Sequence, residues 1–139
     1  MVESTERSVE VVGVYEVSEG SHQPFVLLRD DRNRQFPISV GPCEAFAILA
    51  VFSDQKPTRP LTHDLMTSLL SRIDVRLERI VIDDLANDIF YAKLTLVADG
   101  TRITVDARPS DAIALALRAQ APIYATEEVI AASFLKEEP

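Results

Sequence analysis

Apolar and polar residues alternate from Val9 to Val17, a valine-rich stretch that predicts a strand. Ser18 to Gln23 reads as a turn around Gly20, and Pro24 to Arg29 as a second strand. A polar turn over Asp30 to Asn33 leads into a third strand, Gln35 to Val40. Gly41-Pro42 then opens a helix, with proline at the first helical position, where its missing N–H costs nothing. That helix, Cys43 to Phe52, is small and apolar almost all round, which predicts burial. Beyond a connector bounded by Pro57 and Pro60, Thr62 is placed to cap a helix running to about Arg72, with Asp64 in its first turn and Leu61 and Met66 as a hydrophobic staple.

The second half repeats the scheme. Val75 to Asp83 predicts a strand, Asp84 to Asp88 a turn, and Ile89 to Val97 a long strand. Asp99-Gly100 signals a hairpin into Thr101 to Ala107. Pro109 starts a helix to about Arg118, Ile123-Tyr124 predicts a short strand, and Thr126 caps a last helix whose first turn holds Glu127 and Glu128. A shift of 67 residues lays Pro42 on Pro109, Glu44 on Asp111, Ala45 on Ala112 and Ala47 on Ala114. The same shift lays Ile38 on Val105 and Phe36 on Ile103, and a one-residue gap brings Val9 onto Val75. Two β-β-β-α halves, about 9–54 and 75–119, therefore predict a duplicated supersecondary unit and an α+β fold. Mostly antiparallel sheets pack on apolar helices, with a middle and a C-terminal helix added. The two small-residue helices are expected to lie close together between the sheets.

Length and composition agree with one domain over residues 1–139: 47% hydrophobic and 26% charged residues are ordinary globular values. The single cysteine, Cys43, excludes an intramolecular disulfide and lacks the partners of a zinc site. Met1 to Arg7 holds no apolar leader, and no apolar run approaches the ~18 residues that span a membrane. A cytoplasmic location and no membrane contact are the expectations. The net charge of −8 argues against an extended basic surface for nucleic acid, so a phosphodiester substrate would need a few well-placed arginines or bound cations.

Candidate chemistry concentrates where the repeats differ. The first strand-to-helix corner reads Ser39-Val40-Gly41-Pro42-Cys43-Glu44, the second Asp106-Ala107-Arg108-Pro109-Ser110-Asp111. The second adds a carboxylate, a guanidinium and a hydroxyl. Ser110 and Asp111 fall at a helix N-terminus, where backbone N–H groups hold oxyanions, and Arg108 suits two-point phosphate contact. The plainer readings are dipole pairing for Asp111, capping for Ser110, and an Arg108–Asp106 ion pair. A second cluster is Arg59-Pro60-Leu61-Thr62-His63-Asp64. A first-turn histidine is kept neutral by the helix dipole, as a general base or metal ligand requires; the alternative is an exposed polar residue. Asp83-Asp84, with Asp88 beyond, forms either an Mg2+- or Mn2+-type oxygen site or a solvated turn. His22 reads as surface, and GxSxG, P-loop, GxGxxG and HExxH motifs are absent.

These blocks carry a family resemblance. Phe36-Pro37-Ile38, Gly41-Pro42, Glu44-Ala45, Arg59-Pro60-Leu61-Thr62-His63-Asp64-Leu65, Phe90-Tyr91-Ala92 and Asp106-Ala107-Arg108-Pro109-Ser110-Asp111-Ala112-Ile113-Ala114-Leu115-Ala116 occur in order. Over about Val9 to Glu128 the chain resembles the bifunctional nuclease domain family, as a bacterial single-domain member. The resemblance implies cleavage of both RNA and DNA. It transfers no mechanism, so the roles are inferred from residue chemistry. Asp106, Asp111 and Glu44 would hold a divalent metal, Mg2+ or Mn2+; Arg108, Arg59 and Ser110 would bind phosphate; His63 would act as acid or base. All must converge on one pocket. The alternative is a non-catalytic module that binds an anionic ligand or a protein partner, and either reading accommodates a homodimer or higher homo-oligomer.

Overall fold

The computed structural model describes residues 5–16 and 23–136. The turn predicted at Ser18 to Gln23 lies outside them except for its last residue, and His22 lies outside them. The elements are β1 (Glu6–Glu16), β2 (Pro24–Asp30), β3 (Gln35–Ser39), α1 (Pro42–Phe52), α2 (Thr62–Arg72), β4 (Val75–Ala86), β5 (Ile89–Ala98), β6 (Thr101–Ala107), α3 (Pro109–Ala119), β7 (Ile123–Thr126) and α4 (Glu127–Ser133). The chain is a mixed α+β fold.

Each half is an antiparallel meander running into a helix, β1-β2-β3-α1 and β4-β5-β6-α3. The two meanders do not form separate sheets. The short strand β7 joins them into one seven-stranded sheet of order β3-β2-β1-β7-β4-β5-β6. β7 pairs antiparallel with β1 and parallel with β4. β1 and β4 therefore run in opposite directions on either side of β7, the relation that a two-fold axis normal to the sheet would impose.

Alternation sorts the sheet into two faces. Val26, Leu28, Ile80, Ile82, Ala92, Leu94, Ile123 and Ala125 are buried in the core. The other face carries cross-strand ion pairs, Arg29–Glu10, Arg79–Glu6 and Arg102–Glu78, and the Arg79 guanidinium lies over the Tyr124 ring. α3 packs against both α1 and α2. Its Ala112, Ala114 and Ala116 are fully buried, so the backbones approach closely and a larger side chain there would cost about 1–3 kcal/mol.

Several expectations are corrected. α1 is not buried all round: Ala45, Ala47, Ile48 and Ala50 face the core, but Phe46, Leu49 and Phe52 face outward, because no further element of the described chain covers that side. α2 is capped at Leu61, not Thr62; the Asp64 carboxylate accepts the Leu61 N–H at 2.8 Å, so the cap sits one residue earlier. β4 continues past Asp83 through an irregularity between Ile82 and Asp84, and the turn shrinks to Asn87 and Asp88. Both take positive φ, 53° and 63°, the two-residue hairpin geometry that suits right-twisted strands and tolerates Asn and Asp.

A partly buried ion network, with only Asp30 fully buried, fastens the far end of the sheet. Asp30 accepts the backbone N–H groups of Arg32 and Arg34 and the Arg34 Nε–H. Arg34 also donates to Glu127 at 2.7 Å. The Arg34 hydrogen bonds pull the Glu127 carboxyl down to about 2. Burial alone would raise Asp30, but its hydrogen bonds outweigh that and hold it below the usual carboxylate value.

Candidate functional site

The two strand-to-helix corners place the chemistry. At β3–α1, Gly41 is the N-cap and Pro42 the first helical residue; at β6–α3, Arg108 and Pro109 take those positions. The Ala45 N–H donates to Gly41 O at 2.9 Å and the Ala112 N–H to Arg108 O at 3.0 Å, so both corners close alike. Glu44 and Asp111 thus occupy equivalent first-turn positions. Arg108 bridges them: its Nη2 donates to Glu44 Oε1 at 2.9 Å and its Nε to Asp111 Oδ2 at 3.2 Å. These bonds, that to Glu44 first, raise the Arg108 pKa further above its ordinary value. Nη1 has no hydrogen-bond partner among the described residues, and the side chain is largely exposed.

The third contributor is α2. His63, only 8% exposed, points Nε2 at Asp111 Oδ1 at 2.9 Å. A carboxylate accepts, so the Nε2–H is the donor in this bond. Nδ1 is buried and has no partner. The expectation of an exposed histidine beside a capping aspartate is half met: Asp64 does cap, but His63 is turned inward.

Arg118, which sequence reasoning passed over, fixes this geometry. It is buried at the end of α3 and donates to Asp64 Oδ1 at 2.6 Å, to Ala47 O at 2.9 Å and to Ala114 O at 3.0 Å. One guanidinium therefore ties α1, α2 and α3 together. Asp64, raised by burial but lowered more by the Leu61 N–H and Arg118, stays below its ordinary value and so remains a charged cap. Only its place in the last turn of a helix marked Arg118 in the sequence, and that signal ordinarily means dipole pairing.

Glu44, His63, Arg108 and Asp111 line one cleft of about 760 Å³, whose apolar walls include Phe46, Leu61, Met66 and Leu115. The other expected residues are not in this group. Asp106 touches the cleft, but its side chain is 74% exposed and pairs with Lys93 at 3.4 Å, a lysine that also reaches Asp83 at 3.6 Å. Asp106 stands opposite Lys93 in the ladder, whereas Val105 stands opposite the core residue Leu94, so the Asp106 side chain leaves β6 on the face opposite to that of Val105. Arg59 lines a neighbouring hollow of about 470 Å³ with Lys56, Asp64 and Arg118. Ser110 is buried and lines a third hollow of about 340 Å³, which shares Arg108 with the cleft.

Among the described residues, no three His, Cys, Asp or Glu side chains are grouped to hold a metal ion. Asp83 pairs with Lys93, and Asp84 accepts the N–H of Leu85. Both Asp111 oxygens are engaged by His63 and Arg108, so a divalent cation joining Glu44 and Asp111 would have to displace the guanidinium. As arranged, these residues do not fit a metal. No helix of the described residues is long and apolar enough to cross a membrane.

The chain belongs to the bifunctional nuclease domain family, whose model matches residues 26–138. It is similar to Uncharacterized protein Rv1829 of Mycobacterium tuberculosis, with 42% identity over 124 residues that cover 88% of this chain and 73% of the relative. It is also similar to Bifunctional nuclease 1 and Bifunctional nuclease 2 of Oryza sativa subsp. japonica, at 26% and 29% identity over 112 residues. Those matches cover 78% and 77% of this chain and 34% of each rice protein.

Proposed function

We propose that the chain is a nuclease that hydrolyses phosphodiester bonds in RNA and DNA at the cleft between α1, α2 and α3. The observation that supports this reading is the convergence of an imidazole, two carboxylates and an exposed guanidinium, from three helix N-termini, on one cleft. Arg108 offers Nη1 to a phosphate while Glu44 and Asp111 hold its other edge, and it stabilises the charge that grows on the phosphoryl oxygens. Glu44 takes a proton from the attacking water through Oε2, the oxygen that Arg108 leaves free, and His63 Nε2–H holds Asp111 in place beside Arg108. The water oxygen bonds to phosphorus, the bond to the leaving oxygen breaks, and solvent protonates that oxygen. Arg59 and Lys56, in the adjoining hollow, contact a neighbouring phosphate. No step runs through a metal.

The chain's −8 charge restricts the reading to short or flexible single strands, for which local arginines suffice. The test is cleavage of fluorescent single-stranded RNA and DNA by the purified chain, with Mg2+, with Mn2+ and with EDTA, beside Glu44→Gln, Arg108→Ala and Asp106→Asn. Cleavage that survives EDTA, falls at least 100-fold in the first two variants and persists in the third is expected. Cleavage unchanged by all three, or none at all, would move the cleft to the non-catalytic reading, in which it binds an anionic ligand without turnover.

A further inference from the structure

The two edges of the seven-stranded sheet are finished differently. β3 forms one edge and β6 the other. At β3, Pro37 has no N–H to offer, Phe36 and Ile38 are buried, and the Leu135 N–H beyond α4 donates to Gln35 O at 2.7 Å. Such devices close a sheet edge to further strands. Among the described residues β6 has none of them. Its seven residues include no proline and no lysine, and its ladder with β5 runs from Thr101 to Ala107 without a bulge. No described strand pairs with its outer side, and Thr101 to Asp106 are exposed on both faces of the sheet. Ile103 and Val105, 44% and 37% exposed, stand opposite Leu96 and Leu94, so they carry the apolar face of the sheet out to a bare edge. A regular, uncovered and partly apolar edge of this kind is a template for another strand.

We infer that β6 pairs antiparallel with β6 of a second copy of this chain, across a two-fold axis at Thr104. The residues of the strand select that occupant. In an antiparallel pair centred on Thr104 the whole strand overlaps: Arg102 of each copy faces Asp106 of the other, and Ile103 faces Val105. Both charges thus meet opposite charges, and both apolar side chains meet apolar ones on the face that Leu94 and Leu96 already line. A slip by one residue would turn the apolar side of the added strand to the polar face. A slip by two would leave one charge opposite Thr104 and the other beyond the end of the strand. Within its own copy Arg102 pairs with Glu78, and Asp106 with Lys93, yet their side chains stay 68% and 74% exposed, with room for a second contact. A two-fold axis normal to the sheet keeps the helices of both copies on one side of a continuous sheet. The added strand lies in the plane of the sheet, about 4.8 Å beyond β6. At the cleft it extends the floor to which Val105 belongs and uses none of the group Glu44, His63, Arg108 and Asp111. The inference does not depend on the nuclease reading.

Sedimentation equilibrium of the full chain, with charge variants near the two ends of β6, tests it. The wild type is expected at twice 15.4 kDa. Arg102→Glu sets carboxylate against carboxylate and Asp106→Lys cation against cation, so each alone should raise the dissociation constant about tenfold or more. An equimolar mixture of the two variants should recover the dimer, because every charge then meets its opposite. That recovery is specific to this register, and a general loss of stability would not produce it. A second measurement does not need the charge variants to fold. In a chain freed of its one native thiol by Cys43→Ala, Thr104→Cys should form a covalent dimer under mild oxidation, since residues facing each other on the axis bring their Cβ atoms to about 4.5–5.5 Å. Thr101→Cys, at the end of the strand and far from its own copy across the axis, should not. A wild type that stays monomeric at about 100 μM would overturn the inference. So would folded charge variants that fail to recover on mixing, or a Thr104→Cys chain that cross-links no faster than Thr101→Cys.

Discussion

Arg118→Met removes the guanidinium that joins three helices and keeps most of the apolar stem, so it isolates the polar contribution. Arg118 makes one charge-assisted hydrogen bond to Asp64 and two to backbone carbonyls. The Asp64 contact would be worth about 3 kcal/mol if fully buried. Asp64 is 40% exposed, however, so water replaces part of what it loses and about 1–2 kcal/mol is the better figure. Ala114 O lies one turn back on α3 itself, and its loss costs little. Ala47 O belongs to α1, and losing its second hydrogen bond adds about 1 kcal/mol. The total is about 2–3 kcal/mol, or roughly 5–10 °C in melting temperature for a domain of this size. Urea denaturation followed by circular dichroism measures it, and a cycle with Asp64→Asn isolates the pair. Because Asp64 caps the helix that presents His63, hydrolysis at the cleft should also fall in Arg118→Met. A loss below about 0.5 kcal/mol, or a coupling to Asp64 near zero, would refute the view of Arg118 as the tie between the helices.

Four further outcomes are expected. Asp111→Asn keeps the shape of the cleft but removes the charge that His63 holds in place and that balances Arg108, so cleavage should drop about 100-fold with little loss of stability; Arg108→Lys should not rescue an Arg108 defect, because an ammonium cannot span Glu44 and Asp111. Arg34→Leu should flatten the acid side of the stability profile. Glu127 sits at about 2 against 4.5 unfolded, so its contribution is complete above about pH 4.5 and fades as the pH falls toward 2; the gap in urea midpoint between wild type and variant should shrink over that window, and a constant gap would refute the assignment. Gly41→Ala should leave stability within about 1 kcal/mol, since φ −73° suits any residue, yet the new methyl would strike the Glu44 carboxylate and push it off Arg108. The readout is cleavage, which should fall without a change in melting temperature.

Local patterns set most of the element order. Valine-rich alternation, Pro42 and Pro109 at helix starts, and Asp99-Gly100 at a hairpin each act over a few residues, so the chain itself carries them. The grouping of His63, Asp111, Arg108 and Glu44 was legible as separate blocks, because their residue types are those that phosphate chemistry needs. Which of them meet was not. The pairing of Asp106 with Lys93, and not with Arg108, depends on strand register, which sets the two opposite each other across β5 and β6. Arg118 acquired its role from helix packing that brings Ala47, Asp64 and Ala114 within reach of one side chain. The exposed side of α1 could not be told from a buried one by composition, since a helix apolar all round does not reveal which side its own fold leaves bare. Likewise four residues, Ile123 to Thr126, turn two meanders into one sheet, a pairing between segments far apart in the chain that no local propensity encodes.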